Sequence, residues 1–146
     1  MHESKLHRQV EPRLREADVR YTKGRRVIVE VLATSDGPRS AAELHADLGA
    51  TVPISSIYRT LAVLEESGIV TPHFATKGIA RYELAEWLTG HHHHLVCIDC
   101  GAVEDVDVPD GYEEQVRILV SDIAGVARFT PTNHALEIEG RCKDCA

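Results

Sequence analysis

Residues 91–98 read His91-His92-His93-His94-Leu95-Val96-Cys97-Ile98, and Cys100 completes a C-x-x-C pair that is answered by Cys142 and Cys145 at the far end of the chain. Four cysteines in two such pairs are the ligand set of a closed tetrahedral zinc site. Cys97, Cys100, Cys142 and Cys145 are therefore expected to hold a structural Zn²⁺. The neighbouring imidazoles add further metal-binding nitrogens. On an extended strand successive side chains point to opposite faces. His91 and His93 would serve one face, and His92 and His94 the other. One short segment can thus seed up to three metal sites, which is the pattern of a metal sensor.

Blander readings fare worse. A histidine run left by a purification tag sits at a terminus, whereas this one is internal and runs directly into Leu95-Val96-Cys97. The opening Met1-His2-Glu3-Ser4-Lys5 is polar, and no run is long and apolar enough to span a membrane, so a cytoplasmic location is expected. That compartment disfavours disulfides. A thioredoxin-type redox centre needs one C-x-x-C, not two.

With 146 residues the chain fits one ordinary domain or two small ones, and 43% hydrophobic with 27% charged residues is a globular balance. The net charge of −7 argues at first against nucleic acid, but the charge is uneven. Residues 1–81 hold 12 Lys and Arg against 10 Asp and Glu, while 82–146 hold 4 against 13. A mildly basic first half and an acidic, His- and Cys-rich second half suggest a polyanion-binding module joined to a cation-binding one.

The elements that must position these groups follow from the pattern. Leu6, Val10 and Leu14 lie at helical spacing over roughly 4–18. Thr22 is a good N-cap for a helix with Val27, Ile28, Val31 and Leu32 on its apolar face, broken at Asp36-Gly37-Pro38. Ser40-Ala41-Ala42-Glu43 fits a capping box ahead of Leu44 and Leu48, with Gly49 as the stop. Ser55 is expected to cap a third helix that turns Ile57, Leu61 and Leu64 inward and ends at Gly68. Ile69-Val70, a turn around Lys77-Gly78, and 80–84 then make a hairpin, and the whole of 1–84 is expected to be a winged helix-turn-helix. Its third helix would be the reader, exposing Ser55, Ser56, Tyr58, Arg59 and Thr60 to phosphates and base edges, with Lys23 and Arg25 on the DNA backbone.

Residues 85–90 are expected to form a hinge. Beyond it come the His-rich strand, a strand near 102–108, a helix near 112–124 and a strand at 135–139. This 91–146 segment is small for an independent core, so zinc and an oligomer partner would both be needed to stabilise it. The fold class is α+β, a winged helix followed by a small α/β unit carrying the Cys₄ zinc site.

With these motifs in this order, the chain resembles the ferric-uptake-regulator family of metal-dependent repressors. Ile57-Tyr58-Arg59-Thr60-Leu61 matches the family's reader helix, and Tyr82-Glu83-Leu84 with 91–101 matches its metal-binding segments. The resemblance implies a cytoplasmic homodimer that binds double-stranded operator DNA when metal-loaded, and 91–146 as the dimerisation domain. It implies a regulatory site of Glu83, His92, His94 and Asp105, for Fe²⁺, Mn²⁺ or Zn²⁺. It also implies a second dimer-domain site of His91, His93, His134 and either Glu113 or Glu114. The division of the four histidines agrees with the strand alternation.

There are departures. The family's usual regulatory histidine aligns with Pro38, and His45 and His73 are the candidate replacements. The absence of a cysteine near Glu83 points toward iron or manganese rather than a zinc-uptake regulator, and Glu rather than Asp at 83 disfavours a peroxide sensor. Imidazole and carboxylate alone do not choose among these metals. An enzyme, a small organic substrate and a membrane role are not expected: Cys₄ is a closed site and no metallohydrolase signature occurs. A zinc adaptor without DNA contacts is the other alternative.

Overall fold

Two three-stranded sheets are built in succession along the chain, each beside its own helices. A computed structural model describes residues 2–74 and 78–146. Helices α1 (His2–Glu16), α2 (Lys23–Thr34), α3 (Ala41–Leu48) and α4 (Ile54–Glu66) precede the hairpin β2 (Val70–Phe74) and β3 (Ala80–Leu84). A two-residue strand β1 (Arg39–Ser40) adds to the far edge of β3, giving the order β1-β3-β2. After a one-turn helix α5 (Glu86–Thr89), β4 (His93–Cys97), β5 (Val103–Val106), α6 (Tyr112–Ala127) and β6 (Glu137–Gly140) complete the chain, with sheet order β5-β4-β6. The α+β winged-helix architecture is as expected; Lys77, at the expected wing turn, lies outside the described residues.

Local chemistry sets most helix ends. The Thr22 side chain accepts the Arg25 N–H at the start of α2, and Ser40 and Glu43 form the reciprocal capping box of α3. The expected Ser55 cap is corrected. α4 starts at Ile54 with Pro53 as N-cap, because the Pro53 carbonyl already accepts from Ser56 and Ile57. Ser55 is left inside the first turn.

The main hydrophobic cluster lies in the first half, running from Val10 and Leu14 through Ile28, Val29, Leu44, Ile57, Leu61 and Leu64 to Leu84. Each fully buried aliphatic side chain contributes roughly 1.5–3 kcal/mol. Val29 and not Val27 or Val31 is fully buried on α2. In the second half α6 buries only Ala124, and Ile118, Leu119, Ile123 and Val126 are exposed, Val126 at 90%. The expected hinge is not bare linker: the Ala85 N–H donates to the Ile69 carbonyl, Trp87 Nε1 donates to the Gly68 carbonyl at 2.8 Å, and Leu88 packs on the core.

Candidate metal centres and nucleic-acid face

Strand β4 feeds three separate clusters of donor atoms, each with its atoms within 4.8 Å of one another. The first is Cys97, Cys100, Cys142 and Cys145. β6 runs parallel to β4 with Gly140 opposite Cys97, so the chain leaves β6 beside the first C-x-x-C. Tight turns, with Gly101 N–H on the Cys97 carbonyl and Cys145 N–H on the Cys142 carbonyl, fold each pair on itself. Cys100 Sγ and Cys142 Sγ are 3.9 Å apart. Sulfurs around a tetrahedral Zn²⁺ with bonds of about 2.3 Å would be roughly 3.8 Å apart. The backbone N–H groups of Cys100 and Cys142 both donate to Cys97 Sγ and hold its thiol down at about 6. The crowding sulfurs, Cys142 foremost, push Cys145 up to about 12. Four thiolates can share this space only around a cation, which the donor set fits.

The second cluster is His91, His93, Glu113 and His134. Glu113 on α6 accepts from His93 Nε2 at 2.8 Å and from His134 Nε2 at 2.9 Å, with His91 Nε2 3.1 Å away. The hydrogen bond from His93, against the effect of burial, holds Glu113 below the usual carboxylate range. Glu114, the other candidate acid, lies one position on along the helix outside this cluster and pairs with Arg117.

The third cluster is Glu83, His92, His94 and Asp105. It joins the two sheets, since Glu83 ends the wing on β3 while His94 and Asp105 are paired across β4 and β5. Glu83 accepts from His92 Nε2 at 2.9 Å and His94 Nε2 at 2.8 Å, and Asp105 Oδ1 lies 3.3 Å from His94 Nε2. Burial opposes ionisation of Glu83, but hydrogen bonds from His73, His94 and His92 outweigh it and hold its pKa far down. Asp105 and Glu83 in turn raise His94 to about 9. Two carboxylates and converging imidazole nitrogens are a donor set that fits a divalent cation.

Away from the clusters, α4 exposes several of the side chains expected on a reader helix. Tyr58 is 57% exposed, Ser55 and Arg59 are exposed, and Arg25, Ser56 and Arg59 line one depression of about 370 Å³ between the starts of α2 and α4. Lys23 is exposed on the first turn of α2. Thr60 is corrected: it is buried, because it shares the inward face with Ile57 and Leu64 at helical spacing.

The pattern that defines the ferric uptake regulator family matches residues 16–139. The chain belongs to that family. A ferric uptake regulation protein of Vibrio parahaemolyticus is 38% identical over 136 residues, covering 90% of this chain and 86% of that protein. Among solved structures, the Vibrio cholerae ferric uptake regulator is 35% identical with a TM-score of 0.69, over 88% of this chain and 96% of that one. A zinc-bound manganese uptake regulator is 30% identical, also at 0.69, over 90% and 97%.

Of the two histidines expected as replacements at the position of Pro38, one lies beside the third cluster. His45, on α3, makes no contact with the third cluster, whereas His73 on β2 reaches Glu83 Oε1 at 2.6 Å. Sequence reasoning missed the junction beside it: the Asp105 N–H donates to the Asp36 carbonyl at 3.0 Å, next to Gly37. The Asp36-Gly37-Pro38 break was the available signal, but it read only as a helix stop. No helix among the described residues is long and apolar enough to cross a membrane.

Proposed function

We propose that this metal-responsive regulator is a DNA-binding transcriptional repressor that acts as a metal-loaded homodimer. The single observation that carries the reading is the third cluster, whose ligands come from both sheets. A cation held by Glu83, His92, His94 and Asp105 fixes the wing, and with it α4, against the second sheet. Residues 1–84 act as the DNA-binding domain, 85–90 as the hinge and 91–146 as the dimerisation and metal-binding domain. In a dimer, two α4 helices then stand at one spacing, so metal and operator DNA strengthen each other's binding reciprocally. That a 30% identical structure is a zinc-bound manganese uptake regulator supports a metal-responsive reading.

Cys97, Cys100, Cys142 and Cys145 hold structural Zn²⁺. The regulatory cation is Fe²⁺ or Mn²⁺, a reading supported by the absence of a cysteine near Glu83, since nitrogen and carboxylate donors by themselves do not choose. His91, His93, Glu113 and His134 form a further metal site. The exposed apolar side chains of α6 support pairing with a second copy, which would bury them. Ser55, Ser56, Tyr58 and Arg59 read the major groove, and Lys23 and Arg25 grip phosphates. The protein works in the cytoplasm and is not an enzyme.

The test is selection from a pool of random duplex DNA with Mn²⁺ or with a chelator. A palindromic sequence enriched only with Mn²⁺ is expected. Equal enrichment in both arms, or none, would sink the repressor reading.

A further inference from the structure

Outside the metal clusters, one histidine is engaged at both ring nitrogens. His7 on α1 meets the Tyr21 hydroxyl with Nδ1 at 2.6 Å and Glu30 Oε1 on α2 with Nε2 at 2.8 Å. A carboxylate only accepts, so Nε2 carries the proton, and in the neutral ring Nδ1 is left to accept from the Tyr21 O–H. Burial, the largest influence on Tyr21, pushes its pKa above the ordinary value, so the hydroxyl stays a donor. The tyrosine ring is held from its face as well. The Arg26 guanidinium lies 4.4 Å from the ring centroid and pairs in turn with Glu11 at 3.6 Å. Only 13% of the His7 side chain is exposed, so these contacts are sheltered from water.

Tyr21 matters for what its neighbours in the α1–α2 loop do. The Arg20 carbonyl accepts from Arg25 Nη1 at 2.6 Å, and Thr22 Oγ1 accepts from the Arg25 backbone N–H at 3.3 Å. Arg25 is therefore tethered at its backbone and again at its guanidinium, both times to residues adjoining Tyr21. A histidine that merely joined α1 to α2 would need only Glu30. The second bond, to the loop, is what brings His7 to bear on Arg25.

We propose that the His7–Tyr21 hydrogen bond sets the strength of the DNA phosphate grip: by fixing the Tyr21 ring it fixes the Arg20 carbonyl, and through that carbonyl the guanidinium of Arg25. The inference rests on the reading of 1–84 as a DNA-binding domain. His7 and Tyr21 are positioning residues that act through Arg25. A free arginine side chain loses rotamer freedom when it closes on a phosphate, and that loss subtracts from affinity. One already bonded to a fixed carbonyl loses less. Phosphates carry no sequence information, so the contribution is to affinity at every sequence and not to the choice among them.

Tyr21→Phe removes one oxygen and keeps the ring that packs on the core and against Arg26. Full-length, Mn²⁺-loaded parent, this variant, Arg25→Ala and the double variant are compared by fluorescence anisotropy on the enriched palindrome and on a scrambled duplex, each across a salt series. Arg25→Ala is expected to lower the salt slope by about one, the loss of one phosphate contact. Tyr21→Phe should weaken both duplexes by the same factor and move the slope in the same direction. In the Arg25→Ala background it should have no further effect, because it acts through that side chain. His7→Ala should repeat the Tyr21→Phe result. An unchanged Kd in Tyr21→Phe, a loss that adds in full to that of Arg25→Ala, or a loss confined to the palindrome overturns the proposal. A parent that binds neither duplex overturns the DNA-binding reading together with this one, and is told apart because it appears before any substitution is made.

Discussion

The backbone N–H of Asp105 donates to the carbonyl of Asp36 at 3.0 Å, bonding the loop after α2 to the strand that offers a carboxylate to the Glu83 cluster. Gly37 makes the approach possible. A Cβ added there would lie 2.3 Å from the Val103 carbonyl oxygen and 3.0 Å from Glu104 Cα, both on β5. Backbone leaves no room to yield.

Gly37→Val is accordingly expected to lever β5 away from the first half. Overpacking of this kind costs about 1–3 kcal/mol. Thermal unfolding should move down, and Mn²⁺ binding at the Glu83 cluster should weaken, while the zinc content stays at its original level. An unchanged melting curve and unchanged Mn²⁺ affinity would show that the contact positions nothing.

Zinc removal should act on the second half first. That half has few buried apolar side chains, Val96, Val103 and Ala124 among them, so a metal must supply what a core does not. Cys97→Ser should lose zinc and the near-ultraviolet signature of the second half, while the helices around Leu61 and Leu64 persist. A variant that remains fully folded and zinc-loaded would contradict the assignment.

On α4, Arg59→Ala should cost about 1–3 kcal/mol of DNA binding and relax sequence preference if Arg59 reads a base. Lys23→Ala should weaken all sequences alike and reduce the salt slope by about one. Fluorescence anisotropy on the selected duplex at several salt concentrations separates the two. Equal behaviour of both variants would misplace the reader face.

The α6 surface gives a size measurement. Ile123→Glu puts a charge among Ile118, Leu119 and Val126, side chains the single chain leaves exposed. Sedimentation should find the parent as a dimer and the variant mostly as a monomer. A parent that sediments as a monomer would remove the pairing altogether.

Acid stability carries a sign set by Glu43. Its carboxylate accepts the Ser40 N–H in the capping box and pairs with Arg81 Nε at 3.1 Å, and these contacts, together with Arg39, outweigh burial and hold its pKa below the ordinary value. A folded-state value below the unfolded one means stability fully present above the usual carboxylate range and lost as pH falls through the lowered value. Glu43→Gln should cost roughly 0.5–1 kcal/mol at neutral pH, discounted because the side chain is partly exposed, and should flatten the acid limb of the stability curve. A variant whose acid limb matches the parent's would assign the slope to other carboxylates.

The metal clusters were legible to an unusual degree because their code is short-range. Alternation along a strand divides His91 and His93 from His92 and His94 without any knowledge of the fold, and the structure keeps that division. Glu113 against Glu114 was not decidable, since one residue rotates a helix by about 100° and the phase of α6 depends on where its first turn begins. Thr60 could have been placed, as it lies three residues from Ile57 and four from Leu64; its hydroxyl drew it to the wrong face. β1 and α5 are too short to leave a period. His73 was weighed only as one of two substitutes because its partner, Glu83, is brought near by sheet register and not by sequence spacing.

β4 also sets a condition on its own alignment. Side chains along it reverse face at every residue, so sliding the strand by one position against β5 and β6 would exchange the faces of His93 and His94 and carry His91 and His92, which lead into it, with them. Four successive histidines make such a slip chemically almost silent, since every position still presents a ring. Cys97 does not share that degeneracy: it belongs to the same strand, and its sulfur has only one place among Cys100, Cys142 and Cys145. The zinc cluster thus works as an index pin at the end of a repetitive ruler, keeping two chemically interchangeable sets of rings each in its proper pocket.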